Sequence, residues 1–191
     1  MDVTQWEVWQ AAAVLMVLAI ALAYDLKQHR VPNLLSLAAL LVGLVSNSLL
    51  LGWSGLFSSL GGLLLGLGLM LPFYWKKGMG AGDVKLMAAV GAMLGTSTVL
   101  IAIAATLISG AVIASTIVLV LGGAGEWLGR YKFMAKTLMG AGVVLYLEPA
   151  KRSVSSLRFP YVTAIATGTV VAMYLRGMFA PFSYLMAGGQ A

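Results

Sequence analysis

The chain has 191 residues, 61% of them hydrophobic and only 9% charged, whereas a soluble domain carries roughly 25% charged residues. So few charges cannot cover a water-facing surface, and a mean hydropathy of +0.96 makes lipid the solvent for most of the chain. The formal charge of +6 does not point to nucleic acid, because the basic residues are scattered at the ends of apolar runs, where they set membrane topology.

A helix needs about 20 mainly apolar residues to cross a bilayer. The opening MDVTQWEVWQ carries Asp2 and Glu7 and no Lys or Arg. The first apolar run, Val8 to Tyr24, therefore reads as a retained span and not as a signal peptide, which wants a basic start and a cleavage site. The second span is expected from Leu34 to Leu51 and the third from Leu56 to Trp75, ending at Lys76 and Lys77. From Val84 to Leu121 the chain is almost uninterrupted and too long for one crossing. GTST at Gly95–Thr98 is the natural break, giving a short fourth helix and a fifth from Val99 to Leu121. Residues 122–159 form the longest non-spanning stretch. Its apolar piece, Leu138 to Leu147, is too short to cross and reads as interfacial or re-entrant. The last span runs from Tyr161 to Leu175. The expected fold is an all-α integral membrane protein: one domain over 1–191, a bundle of about six transmembrane helices, with 122–159 as a cytoplasmic or interfacial segment.

Charge placement sets the orientation. With six spans, one side holds Lys27, Arg30, Lys76, Lys77, Lys85, Arg130, Lys132, Lys136, Lys151, Arg152 and Arg158, and only Arg176 falls on the other. The positive-inside rule makes the first side cytoplasmic and puts both termini outside. Trp6, Trp9 and Trp53 then mark the outer interface, and Tyr74, Trp75, Trp127 and Tyr131 the inner one. The 23 glycines include the pairs Gly62/Gly66 and Gly91/Gly95, a spacing that lets helix backbones approach closely in lipid.

Six acids are present: Asp2, Glu7, Asp25, Asp83, Glu126 and Glu148. Asp25 closes the first span and Asp83 opens the fourth, so the topology brings both to the cytoplasmic end of their helices and permits contact. If they meet, two nearby carboxylates share a proton. The ionised member then takes a proton from water while the protonated one polarises a carbonyl. That chemistry needs no metal, thiol or histidine. It suits a chain with no cysteine and one histidine, His29, in which cysteine-ligated metals and histidine-rich metal sites are excluded and no cofactor is expected. In GAGD, Gly80 and Gly82 clear the approach to Asp83, which sits in a first helical turn where the dipole favours an anion. The plainer alternative is that both acids are capped, solvated charges at the membrane boundary.

The wording around the acids goes further. Asp25 lies in YDLKQHRVPN, Asp83 in GMGAGDVKLMAAVGAMLG, and the last span opens with RFPYVTAIATG. The D-x4-R-x-P-N, GxGD-x-K and PY-x2-AI-x2-G blocks, in this order, resemble the type IV prepilin peptidases, aspartic proteases of the inner membrane with six to eight spans. The resemblance implies that Asp25 and Asp83 are the catalytic pair. It also implies cleavage of the basic leader from prepilin-like proteins on the cytoplasmic side, just before a hydrophobic helix. The lack of cysteine departs from the larger members that carry CxxC zinc motifs and N-methylate the product, so methylation is not assigned. The compact form is similar to the peptidases of tight-adherence (Flp) pilus systems. Presenilin and signal peptide peptidase share the YD and GxGD wording, but their Pro-Ala-Leu motif is absent here.

Arg30, Pro32 and Asn33 read as shaping the loop after Asp25, with Val31 held extended before the proline. Lys85 reads first as a headgroup anchor, with tuning of Asp83 as the alternative. His29 reads as interfacial, and Glu126 and Glu148 as solvated loop charges. Besides a peptidase, the two aspartates would also suit a small proton- or cation-coupled transporter, and a non-catalytic assembly subunit is the third reading. The expected partners are a prepilin or pseudopilin and the lipid bilayer, with no nucleic acid.

Overall fold

The structure, a computed structural model, describes residues 3–28, 30–76, 78–120 and 161–179. These form four helices and no strand: α1 (Val3–Gln28), α2 (Asn33–Trp75), α3 (Ala81–Val120) and α4 (Tyr161–Leu175). Three of them, α1, α2 and α3, are long and apolar enough to cross a membrane, and α4 is a shorter apolar helix. The segment 122–159, with its 138–147 piece, lies outside the described residues. The chain divides into two compact units, one of Met1–Gly110 with Pro160–Ala191 and one of Ala111–Phe159. In the second, only the end of α3 is described; everything below concerns the first.

α2 and α3 are each broken at one glycine. Gly52 (φ 62, ψ −142) and Gly95 (φ 77, ψ 176) take backbone angles that side-chain-bearing residues almost never adopt. The chain reverses at both. In a continuous helix residues 47 and 59 stand about 18 Å apart at 1.5 Å per residue, yet the Asn47 side chain donates to Ser59 Oγ at 2.7 Å. Likewise a β-carbon on Gly91 would stand 3.1 Å from Val99 Cγ2, eight residues on, where a straight helix would separate them by about 12 Å. The expected breaks near residues 52–55 and 95–98 are thus each concentrated in a single glycine. Backbone geometry alone therefore makes Gly52→Ala costly, by about 1–3 kcal/mol, although nothing lies within 4 Å of the added carbon. Gly68→Ala, helical and equally open, is neutral or stabilising; thermal unfolding in detergent separates the two.

Packing follows the small residues. The buried face of α2 consists of Ser36, Ala39, Gly43, Asn47, Gly55, Ser59, Gly62, Gly66 and Met70, while Leu34 (77%), Leu49 (79%) and Leu64 (64%) point outward. That is the inverse of a soluble amphipathic helix and the expected pattern where lipid wets the large side chains and close backbone approach holds the helices. The second segment of α2 runs antiparallel to the first of α3: Gly62 meets the backbone of Gly91, and Gly66 that of Met87 and Ala88. The first segment of α2 runs parallel to it, with Gly43 against Ala92 and Met93. α4 runs antiparallel to the later part of α3, with Gly168 at Thr106 and the Ser109 hydroxyl donating to Ala164 O at 3.1 Å. α1 packs against α4 and α2. From Val84 to Gly95, only Lys85 is exposed. This short segment is the buried centre of the bundle, which explains why it is apolar on every side.

Candidate active site

Among the described residues, six helical segments that alternate in direction bring particular residues to one end. There α1 finishes, the loop through Val31 and Pro32 crosses to α2, α3 begins after Gly78–Gly80, and α4 begins at Tyr161. Val31 and Pro32 are non-helical, and Pro32 (φ −61, ψ 130) precedes the first residue of α2. Its carbonyl accepts from the N–H groups of Leu35 and Ser36, so the proline starts α2 without needing a donor of its own.

Asp25 lies one turn inside the end of α1, which continues to Gln28, and is half-buried. Asp83 is in the first turn of α3 and is also half-buried. The Gly80 N–H donates to Asp83 Oδ2 at 2.9 Å, while the Asp83 and Val84 N–H groups donate back to Gly80 O at 3.2 and 3.4 Å. This is the reciprocal arrangement in which an acid three residues into a helix caps the residue before it. A β-carbon on Gly80 would stand 3.1 Å from that carboxylate oxygen, and one on Gly82 would stand 3.2 Å from Val31 Cβ. The two glycines thus let the carboxylate and the neighbouring loop close up on the backbone.

Capping by Gly80 accounts for where Asp83 points, as the plainer alternative requires. It does not account for a second acid at the same end of the bundle. Asp25 and Asp83, far apart in sequence, lie near enough for the charge of one to act on the other, and the half-buried Tyr161 phenol feels the charge of Asp83. All three belong to the same compact unit. Lys85 Nζ donates to Asn33 Oδ1 at 3.0 Å in an exposed bond, tying the beginning of α3 to the start of α2. Lys85 and Asn33 therefore face each other. Arg30 is exposed at the same end, and His29 lies outside the described residues. Tyr161 was legible only as a letter in the late block; the signal that marks it is its place at the start of a helix whose first turn packs into the core through Val162 and Ile165.

A model of the type IV leader peptidase family matches residues 12–115, a stretch that contains both aspartates. The chain belongs to the type IV leader peptidase family. Comparison with curated proteins and with solved structures gave no match. As a member of this family, the chain is a leader-peptidase-like protease, and its apolar helices make it a membrane protein. The transporter reading gains no support.

Proposed function

We propose that this protein is an aspartic endopeptidase that removes the leader of type IV prepilin-like proteins at the cytoplasmic face of the inner membrane, in the manner of the compact Flp-type enzymes. Asp25 and Asp83 act as the acid–base pair. The ionised carboxylate takes a proton from the attacking water, the protonated one hydrogen-bonds the scissile carbonyl, and the proton then passes to the leaving amine. Gly80 and Gly82 let the Asp83 carboxylate and the Val31 loop close up on the start of α3, while the Lys85–Asn33 bond and the Arg30–Pro32 loop hold the two motif-bearing segments side by side. The domain is single, with six crossings, both termini outside and 122–159 on the cytoplasmic side.

The observation that carries the reading is that two carboxylates from separate motifs come to one end of the bundle, near enough for the charge of Asp25 to act on Asp83, within a chain of leader-peptidase type. The test is cleavage of a prepilin-like protein, with a basic leader, a glycine and an apolar helix, by the wild-type chain and by Asp25→Asn and Asp83→Asn.

A further inference from the structure

The central segment of α3 carries Asp83 at one end and stops at Gly95 at the other. At about 1.5 Å per residue the segment 81–94 is only about 21 Å long, against a hydrocarbon core of about 30 Å. Its far end therefore lies inside the bundle and away from water. A helix that ends leaves its last carbonyls without partners in the next turn, and in an apolar interior each orphan is costly.

The structure supplies the missing donors from two other helices. Asn47, 4% exposed, donates through Nδ2 to Ala92 O and to Met93 O, both at 3.1 Å, and to Ser59 Oγ at 2.7 Å. Gln10 of α1 donates through Nε2 to Met93 O and to Asn47 Oδ1, the latter at 3.3 Å. Ser59 Oγ in turn donates to Gly43 O at 3.4 Å. Thr96, just past the break, donates to Ser58 O at 3.0 Å. Every member of the cluster is partnered, so it has no vacant group to offer a ligand. It ties α1, both segments of α2 and the end of the Asp83 segment at one depth.

We propose that Asn47, assisted by Gln10, is a positioning residue: its amide caps the buried end of the Asp83-bearing segment and so fixes how far that segment projects toward Asp25. Sliding the segment along its axis toward the aspartate end would strip two carbonyls of their donors. The bonds that set the depth of Asp83 thus lie at the opposite end of its own helix segment, and their donors, Asn47 and Gln10, stand outside every motif of the sequence. The activity readout of this proposal rests on the peptidase reading; the structural readout does not.

The chain has no cysteine, and a β-carbon on Gly82 would stand 3.2 Å from that of Val31, a few tenths of an ångström inside the roughly 3.5–4.5 Å that a disulfide spans. A Val31→Cys/Gly82→Cys pair therefore reports the position of the start of α3 against the α1–α2 loop. The full chain in lipid nanodiscs is assayed with a peptide bearing a basic leader, a glycine and an apolar helix. Cysteine-free Asn47→Leu, Asn47→Gln and Gln10→Leu give kcat and KM, and the cysteine pair placed in each background gives the rate of disulfide formation. Asn47→Leu is expected to lower kcat by about 10²-fold, the scale of a displacement of about 1 Å at a catalytic group, with KM unchanged and disulfide formation slowed. Asn47→Gln, which keeps an amide donor, restores both toward wild type, and Gln10→Leu moves both in the direction of Asn47→Leu. An unchanged disulfide rate or an unchanged kcat in Asn47→Leu overturns the proposal, as does an Asn47→Gln variant as impaired as Asn47→Leu. If Asn47→Leu does not accumulate, Gln10→Leu decides by the same two measurements. A wild-type chain that leaves the peptide intact refutes the peptidase reading, and the disulfide rate alone then judges the positioning role.

Discussion

Asp25→Asn and Asp83→Asn are each expected to lower leader cleavage by on the order of 10³-fold or more, as the loss of one member of a cooperating catalytic set does, while the protein inserts at its normal level. The amide has the shape of the carboxylate but can neither accept the proton of water nor pass one to the leaving amine. The Asp83 change is informative about cause as well. A substituted amide still offers an oxygen to the Gly80 N–H, and at this third helical position of a capping box an amide can fill the place of the acid. The start of α3 is therefore retained, and thermal unfolding should scarcely move while activity is lost. A pair that shares a proton also gives a bell-shaped pH profile for the wild-type chain. Activity falls at low pH, where both carboxyls are protonated, and at high pH, where both are ionised. Activity is read from the mobility shift of the processed substrate. Either single variant retaining full activity would remove that aspartate from the mechanism.

The second large effect is structural. Gly62→Ala and Gly91→Ala each place a β-carbon on the facing glycine's carbonyl oxygen and carbon. Those are main-chain atoms, so no rotamer change relieves the overlap; the two helices must part. Overpacking in a core costs about 1–3 kcal/mol, and these sites belong at the upper end of that range or beyond it. Because the helix pushed aside is the one that carries Asp83, loss of activity accompanies the fall in melting temperature. Gly68→Ala, which meets nothing, controls for the helix propensity of alanine. Equal melting temperatures for Gly62→Ala and Gly68→Ala would contradict this packing.

Much of this was legible from the sequence because lipid simplifies the code. Apolar runs bounded by charges set the helices, and GTST announced a break that proves to be a reversal at Gly95. The Gly62/Gly66 and Gly91/Gly95 spacings announced the close pairing of α2 and α3. The two acids stood out because a carboxylate beside an apolar span is rare. What stayed hidden has physical causes. The helix boundaries depend on hydrogen bonds and not on hydropathy, so α1 runs past Tyr24 to Gln28 and carries Asp25 one turn inside its end. Asn47 and Gln10 belong to no motif: each is a single amide in or beside an apolar run, and its role depends on where a different helix stops. The contact between Lys85 and Asn33 joins two motifs that sequence order keeps apart, and only the parallel course of their helices brings them together. Tyr161 comes within the electrostatic reach of Asp83 through the direction of α4, which depends on its register against Thr106 and Ser109.

Whether Asp25 and Asp83 form one site can be measured without any substrate. With no native cysteine, an Asp25→Cys/Asp83→Cys chain treated in membranes with the shortest bifunctional thiol reagent has two thiols and no others. Rapid cross-linking within a single chain is expected, abolished when either cysteine is omitted. Two thiols that react singly but are never bridged would place the aspartates at separate sites and contradict a shared one.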